Sequence, residues 1–498
     1  MGHPDTHVRN RLVDENGFLK LPQEQAAVPE FGSSKNLLPA PHWQGRERVV
    51  ECYWKAWEIA FCNLRQPPPE SPMIANFIDT AFNDCTFMWD SCFMTMFGRY
   101  GSRAFNFQRT LDNFYSRQHG DGFICREIAV NDGTDRFERF DPSSTGPNLM
   151  PWAEWEYYLH FQDKERLAKV FPVLLAFLQW LRVHRTWPDG SYWSSGWGCG
   201  MDNQPRVPSG YHISFDHGHL SWIDTTLQQV FANKLLARMA DEIGRGDEVK
   251  EIVAETERLT KFVNHQMWDA RAGFYCDRFR DGSLSPTKTI GAYWALLAEV
   301  VPEDRLHRFV QHLRNPQEFA RVHRVPTLSA DDPAYDSKGG YWLGAVWAPT
   351  NYMVLRGLSA VGEHELAHEI GINHLEHVVK VFEATGTFWE NYAPESSLPG
   401  NPALRDFVGW TGLSPIATLF ESVFGLRPEV ASNELIWEIR LLDEHGVDRY
   451  PFGSDGILDL RCAKRSSPGE EPVIEAVASQ PVKLVVRWAG GNKTIQLN

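Results

Sequence analysis

The chain has 498 residues, of which 43% are hydrophobic and 23% charged, a composition typical of a soluble globular protein with more than one domain. Its formal net charge of −15 at pH 7 argues against nucleic acid or a membrane as a partner. The eight cysteines contain no Cys-x-x-Cys pair, the N-terminus lacks a signal-peptide pattern, and we expect no membrane-spanning stretch. These features predict a cytoplasmic protein with reduced thiols.

Residues 1–40 are polar and contain several prolines, and we expect them to form an N-terminal arm. Apolar spacing and helix end signals then predict about twelve helical segments within residues 41–426. Their approximate spans are 43–64, 84–99, 102–119, 147–161, 163–186, 217–244, 246–268, 289–301, 303–314, 343–361, 363–385 and 410–425.

The links between these helices alternate in length. Short links, four of them marked by Gly101, Gly246, Pro302 and Gly362, alternate with long ones. Antiparallel helix pairs with short links at one end place every long link at the other end. We therefore predict a mainly α fold in which six helix pairs close into an (α/α)6 toroid with one loop-covered mouth. A helical solenoid is the alternative, but no repeat of fixed period is visible. The long links are at about 65–83, 120–146, 187–216, 269–288, 315–342 and 386–409.

The last part of the chain, residues 427–498, has a different pattern. Segments such as 434–442 and 482–488 alternate apolar and polar residues between Gly, Pro and Asn turns. This pattern predicts a small C-terminal antiparallel β domain, which carries no candidate site.

A Gly- and Ser-rich loop, residues 193–206, contains one carboxylate, Asp202, next to Trp193 and Trp197. Tryptophan rings stack on sugar faces, and a carboxyl group among aromatic rings can stay protonated and serve as an acid. Asp202 could equally cap the next turn. A second carboxylate between aromatic residues, Glu390, lies in the last long link. Two carboxyl groups flanking one bond are what acid–base hydrolysis of a glycoside requires.

Further candidate residues lie in the long links or at their edges, and we predict that they bind the substrate. Alternative interpretations are an ordinary helical turn for Trp89 and Asp90, a salt bridge between Arg126 and Glu127, and core packing for Trp152. The full predicted set is Trp89, Asp90, Arg126, Glu127, Trp152, Glu156, Trp197, Asn203, Trp342, Trp347, Tyr392 and Trp410.

Other chemistries have weaker signals. His217 and His219 are possible metal ligands, but no third ligand follows at helical spacing, so we predict polar residues at a helix start and no metal. We interpret Cys199 as a packing residue because no evident base accompanies it. The chain has no Gly-x-Ser-x-Gly motif, phosphate-binding glycine loop or dinucleotide fingerprint, so no cofactor is predicted.

Four motifs resemble those of the trehalase-like clan, glycoside hydrolase families 37 and 63. They are Trp-Asp at 89–90, Ser-Gly-Trp-Gly-Cys-Gly-Met-Asp-Asn at 195–203, Tyr-Trp-x-Gly-x-x-Trp at 341–347, and Glu-Asn-Tyr at 390–392 with Gly-Trp-Thr at 409–411. The similarity is nearest to the bacterial branch of family 63 that contains mannosylglycerate and glucosylglycerate hydrolases.

The resemblance implies an (α/α)6 barrel that hydrolyses α-glycosidic bonds with inversion. It also implies that Asp202 is the general acid and Glu390 the general base. By the same resemblance Trp89 and Asp90 hold the cleaved sugar, and aromatic rings at Trp347 and Trp410 wall it.

The chain departs from related enzymes at Cys125-Arg126-Glu127 and at Thr145-Gly-Pro-Asn, where the leaving group would sit. We predict an inverting, exo-acting α-glycosidase of the α-glucosidase type that acts on a small α-glycoside or oligosaccharide. The alternatives are a lyase or sugar epimerase on the same toroid, which would rely on Arg126, His217 and His219, and a non-catalytic glycan-binding protein. No oligomeric state is predicted.

Overall fold

A computed structural model describes residues 8–80 and 83–498 of the chain. Residues 1–7 and 81–82, which belong to the predicted arm and the first long link, lie outside the described residues. The longer helices are α1 Glu47–Cys62, α2 Met88–Gly98, α3 Met150–Phe161, α4 Lys164–His184, α5 Ile223–Ile243, α6 Lys250–Gln266, α7 Trp294–Leu297 with the preceding 3₁₀ turn Ile290–Tyr293, α8 Glu303–Gln311, α9 Ala348–Ala360 and α10 His364–Thr385. Shorter helical turns are Arg11–Glu15, Gly17–Lys20, Phe31–Ser34, Lys35–Leu37, Phe107–Leu111, Asp112–Tyr115 and Gly196–Cys199.

The last predicted helix is a 3₁₀ turn, Trp410–Leu413, followed by a π-helical segment, Ser414–Val423. Two other predictions need correction. The segment predicted as a helix at 102–119 holds only the 3₁₀ turn Phe107–Leu111 and one α-helical turn after it. The helix predicted from 217 begins at Ile223, because Gly218 and His219 have left-handed backbone angles, φ +59° and +52°, that a right-handed helix excludes.

Alternate helical segments contact one another in a closed cycle. Helix α2 contacts α3, α3 contacts α5, α5 contacts α7, and α7 contacts α9. Helix α9 contacts Trp410–Leu413, which contacts α2 and so completes the cycle. The intervening helices pack against members of the cycle, with α4 against α3 and α5, α6 against α5, and α10 against α9.

The core of the cycle is aromatic. Trp152 of α3 is fully buried and stacks on Tyr352 of α9, with ring centroids 5.8 Å apart. Its ring also meets Phe93 of α2, Phe231 of α5 and Trp294 of α7 at 5.6–6.1 Å. One tryptophan therefore contacts four other helices of the cycle.

Two four-stranded sheets dominate the C-terminal part. We name the strands β1 Ala40–Trp43, β2 Leu426–Glu429, β3 Glu434–Glu438, β4 His445–Phe452, β5 Gly456–Cys462, β6 Ile474–Ala478, β7 Val482–Trp488 and β8 Gly491–Leu497. The sheet orders are β1-β4-β5-β6 and β8-β7-β3-β2. The pairing of β3 with β7 is parallel, which corrects the prediction of a purely antiparallel unit.

Strand β1 was not predicted. It lies at the edge of its sheet and pairs antiparallel with β4, so Ala40↔Asp448 and Trp43↔His445 are partners. Pro41 hides the strand signal in the sequence, but an edge strand tolerates a proline because one side of its backbone needs no partner. In the part of the chain that the structure describes, the remaining strands form three two-stranded ribbons, Leu64–Arg65 with Phe77–Ile78, Cys85–Phe87 with Glu127–Ala129, and Trp268–Asp269 with Phe274–Tyr275.

Helix α4 is, by length and composition, apolar enough to cross a membrane, contrary to the expectation from the sequence. Within the structure 67% of its most apolar window is buried.

Candidate active site

A cavity of about 100 Å³ lies where several of the long links converge. Its walls combine the carboxyl groups of Asp90 and Asp202, one arginine and six large aromatic side chains. The lining residues are Phe87, Trp89, Asp90, Arg126, Gly146, Pro147, Trp197, Gly200, Asp202, Tyr341, Trp342 and Trp410.

The loop that carries Asp202 is tightly anchored. Ser195 Oγ accepts a hydrogen bond from Gly198 N and caps a short helical turn, and Gly200, with φ +78°, ends that turn in the left-handed conformation that favours glycine. The loop ends at the buried Arg206, whose guanidinium donates two hydrogen bonds of 2.6–2.8 Å to each of two buried carboxylates, those of Asp224 and Asp277. These bonds fix the position of Asp202 relative to helix α5.

Burial favours the neutral, protonated form of the Asp202 carboxyl group. Burial raises its pKa from 3.8 to about 6, the positive charge of Arg126 opposes that rise, and Glu127 adds to it. A carboxyl group with this pKa holds a proton in mildly acidic solution and can donate it.

Glu390 is only 3% exposed and is held from both sides. Tyr341 Oη donates to its Oε1 at 3.1 Å, and Leu404 N donates to its Oε2 at 3.1 Å. Burial raises the pKa of Glu390 from 4.5 to about 7; the two donors oppose that rise, and the charge of Asp202 adds to it. Asp202 is therefore close enough to Glu390 for its charge to affect the ionisation of Glu390.

Tyr341 connects the two carboxyl loops, although its backbone is in an unfavourable conformation. Its φ is +68°, which costs a bulky residue about 1–2 kcal/mol. Asn203 holds this conformation, because its Nδ2 donates to Gly340 O and its Oδ1 accepts from Trp342 N, both at 2.9 Å. The residue next to Asp202 thus positions the tyrosine that hydrogen-bonds to Glu390.

Trp89 and Asp90 also line the cavity. Among the described residues, Trp89 Nε1 and Asp90 Oδ1 are buried atoms without a hydrogen-bond partner. Burial, together with the charges of Asp79 and Glu390, holds the pKa of Asp90 well above its usual range. Two unpartnered buried polar atoms on residues of the cavity wall suit a ligand that carries hydroxyl groups.

Arg126 and Trp197 form another part of the wall. Arg126 Nε donates to Ser143 O at 2.7 Å, and its guanidinium lies 5.8 Å from the centroid of the Trp197 ring. Glu127 lies 3.6 Å from Arg126 and accepts a hydrogen bond from Asn83, so it does not line the cavity itself.

Trp152 and Glu156, which were predicted to bind the substrate, do not line the cavity. Trp152 is the core residue described above. Glu156 lies one turn further along α3, where Arg99 and Arg356 bind its carboxylate at 2.9 and 2.6 Å. The pKa of Glu156 is about 2 because these two arginines outweigh the effect of burial. Glu156 therefore ties helices of the cycle together.

Trp347 and Tyr392 are fully buried and do not line the cavity. The Trp347 ring stacks on Trp342 at 3.8 Å between centroids and lies 5.6 Å from the Trp410 ring, so it supports two rings that do line the cavity. Tyr392 N donates to Val346 O at 2.9 Å. Trp347 therefore supports the cavity wall without forming it.

His217 and His219 do not line the cavity either. Their rings are 4.7 Å apart and pack against Trp187, and His217 Nδ1 accepts a hydrogen bond from His219 N. Within residues 8–80 and 83–498, no cluster of His, Cys, Asp and Glu has an arrangement that could hold a metal ion. Cys199 is buried, which raises the pKa of its thiol well above the usual range, as expected of a packing residue.

Comparison with known proteins identifies the family. The model of the family described as "Mannosylglycerate hydrolase MGH1-like glycoside hydrolase domain" matches residues 84–407. An uncharacterised protein of Borreliella burgdorferi is 24% identical over 369 residues, which are 72% of this chain and 76% of that protein. The probable mannosyl-oligosaccharide glucosidase of Schizosaccharomyces pombe is 24% identical over 282 residues, but the match spans 50% of this chain and only 34% of that protein.

A solved structure agrees with this assignment at the level of the fold. The family 63 mannosylglycerate hydrolase of Thermus thermophilus, crystallised with glucose, superposes with a TM-score of 0.59 at 20% identity, over 73% of this chain and 99% of that one. The chain belongs to the mannosylglycerate hydrolase MGH1-like glycoside hydrolases of family 63, in the trehalase-like clan.

Proposed function

We propose that the protein is an inverting, exo-acting α-glycosidase of the α-glucosidase type, with Asp202 as general acid and Glu390 as general base. One observation carries the proposal. Asp202 lines the aromatic cavity, Glu390 accepts a hydrogen bond from Tyr341 in the wall of that cavity, and burial raises the pKa of both carboxyl groups. The names of the mannosyl-oligosaccharide glucosidase and mannosylglycerate hydrolase relatives give it further support.

We further propose that the helical part, residues 41–426, is an (α/α)6 toroid, and that residues 427–498 form a small β domain to which strand β1, Ala40–Trp43, adds an edge strand. The closed cycle of helix contacts supports the toroid, because a solenoid would leave its first and last pairs apart.

In the proposed reaction Asp202 transfers its proton to the glycosidic oxygen as the bond from that oxygen to the anomeric carbon breaks. Glu390 removes a proton from a water molecule that attacks the anomeric carbon from the opposite face. The product sugar then has the opposite anomeric configuration. Inversion requires the two carboxyl groups to be about 6.5–9.5 Å apart, so that the water fits between them.

The reactive form of this pair carries one proton, on Asp202. Burial raises the pKa of the base, Glu390, to about 7 and that of the acid, Asp202, to about 6. Without substrate, a single proton therefore resides mainly on Glu390. The donors Tyr341 and Leu404 stabilise the ionised form of Glu390 and make the reactive arrangement accessible. We expect maximal kcat/KM between pH 6 and 7, where the pair holds a single proton.

The test is a pair of nearly isosteric variants, Asp202→Asn and Glu390→Gln, assayed on α-linked disaccharides and glycosylglycerates. Each should lower kcat by ~10²–10⁴-fold. Glu395→Gln is the matched control, because Glu395 lies in the same loop but pairs with Arg321. On a glycosyl fluoride, whose leaving group needs no proton, Asp202→Asn should recover much of its rate and Glu390→Gln should not. Near-normal hydrolysis of the disaccharides by either variant contradicts the assignment.

A further inference from the structure

The aromatic wall of the cavity extends beyond Trp197 to the ring of Phe215, which packs edge to face against Trp197 and does not itself line the cavity. Trp197 lines the cavity, and the ring of Phe215 lies 4.6 Å from it, centroid to centroid, at an angle of 72°. Phe137 also contacts Trp197, at 6.0 Å, and the guanidinium of Arg126 lies 4.6 Å from the Phe137 ring. We call the surface formed by Trp197 and Phe215 the aromatic notch.

The notch is held rigidly against the loop of the proposed acid. Trp197 N donates to Ser214 O at 2.9 Å, and a Cβ at Gly196 would lie only 2.6 Å from both Ile213 O and Asp202 O. Only glycine at position 196 lets the segment 211–216 pack this closely on the Asp202 loop. Within the segment 211–216, the carboxylate of Asp216 accepts a hydrogen bond of 2.7 Å from His212 N, which further restrains its conformation.

Phe215 is nevertheless 42% exposed. A single exposed apolar side chain is ordinary on a protein surface. Phe215, however, extends an aromatic wall that begins inside the cavity, and one face of its ring is already backed by His212, which stacks on it at 4.4 Å. The exposed part of the Phe215 ring is thus held in a fixed position beside the cavity wall, where a flat apolar face can pack against it.

We propose that the aromatic notch binds a ring of the leaving group, so that the preferred substrate carries a pyranose or aryl ring next to the cleaved bond. This inference rests on the proposed function. The general acid protonates the leaving oxygen, so the leaving group must lie on the side of Asp202, and Trp197 belongs to the same loop. Pyranose and aryl rings both present apolar faces that stack on aromatic side chains, whereas a three-carbon acid such as glycerate has no ring face.

The test uses Phe215→Ala, with Phe215→Tyr as the variant that keeps the ring and Phe140→Ala as a control at another exposed phenylalanine. Four substrates with the same cleaved sugar are compared: an α-linked disaccharide, an aryl α-glycoside, the α-glycosylglycerate and the α-glycosyl fluoride. For each, kcat/KM is divided by the value for the fluoride, which has no ring in its leaving group.

For Phe215→Ala we expect this ratio to fall ~3- to 10-fold for the disaccharide, the aryl glycoside or both, with no change for the glycosylglycerate. The ring that responds identifies the leaving group as a sugar or an aryl group. Phe215→Tyr should restore the ratio, and Phe140→Ala should not alter it. An unchanged ratio for both ring substrates, or an equal fall for the glycosylglycerate, overturns the inference. Failure of the unaltered protein to hydrolyse any of the four substrates instead contradicts the proposed function.

Discussion

Replacement of Tyr341 by Phe probes the ionisation of the proposed base with little change of shape. The hydroxyl of Tyr341 donates to Glu390 Oε1 at 3.1 Å and stabilises the carboxylate. A hydrogen bond to a charged group is worth about 1.5–3 kcal/mol, which corresponds to a rise of about 1–2 units in the pKa of Glu390 when the donor is lost. The pKa of Glu390, about 7 in the intact site, therefore increases in the variant.

The direction of the pH effect follows from the proton count of the pair. The reactive form needs Glu390 ionised and Asp202 protonated, so the centre of the kcat/KM profile lies midway between their two pKa values. We expect Tyr341→Phe to move that centre upward by about 0.5–1 pH unit and to lower the maximum by about 10- to 100-fold.

The assay is the dependence of kcat/KM on pH, measured at equal protein concentrations across a range that brackets the pKa values of about 6 and about 7. Circular dichroism at each pH checks that the variant stays folded. Tyr335→Phe is the matched control, because its hydroxyl donates to Glu395, outside the cavity. A profile for Tyr341→Phe that keeps its centre and its height would refute the role given to Glu390.

Four further outcomes are expected. Because burial raises the pKa of Glu390 from 4.5 to about 7, the folded state binds that proton more tightly than the unfolded state, and stability falls as pH rises through this window. This loss in the free energy of unfolding is on the order of 3 kcal/mol between pH 4.5 and about 7. It should be absent in Glu390→Gln, as measured by denaturant unfolding at these two pH values. Asn203→Ala should lower kcat at least ~10-fold and shift the pH optimum in the same direction as Tyr341→Phe, because it releases the backbone on both sides of Tyr341; an unshifted optimum would show that Asn203 does not act through the tyrosine. Arg206→Met leaves two buried carboxylates unpaired and should cost about 3–5 kcal/mol in urea unfolding. Trp152→Ala should cost about 3–5 kcal/mol of stability, and a variant that loses substrate affinity without losing stability would restore the role predicted from the sequence.

The convergence of Asp202 and Glu390 was predictable because it depends on chain connectivity. Alternating short and long links place loops far apart in sequence on one side of the helices, whatever the individual helix ends are. The motifs around the two carboxyl groups then indicate which loops matter. Tyr341 belongs to the Tyr-Trp-x-Gly-x-x-Trp motif but was not predicted as a site residue, since its role depends on a left-handed backbone angle that the sequence pattern does not display.

Glu156 shows what the sequence could not indicate. It lies one turn after Trp152 on helix α3, where Trp152 Nε1 donates a hydrogen bond to its carboxylate and Arg99 and Arg356 bind the same group. Periodicity identifies a shared helix face, but depth along that face depends on where the partner helices begin. Strand β1 was missed for a different reason, because its partner strand, His445–Phe452, lies near the other end of the chain.

The stereochemistry of the first product tests the central claim most directly. Proton NMR of an α-linked substrate, recorded in the first minutes before the released sugar mutarotates, distinguishes the two anomers. If Asp202 and Glu390 act as acid and base on opposite sides of the bond, the β anomer appears first. Initial release of the α anomer would mean that a carboxylate attacks the sugar directly, and it would contradict the mechanism.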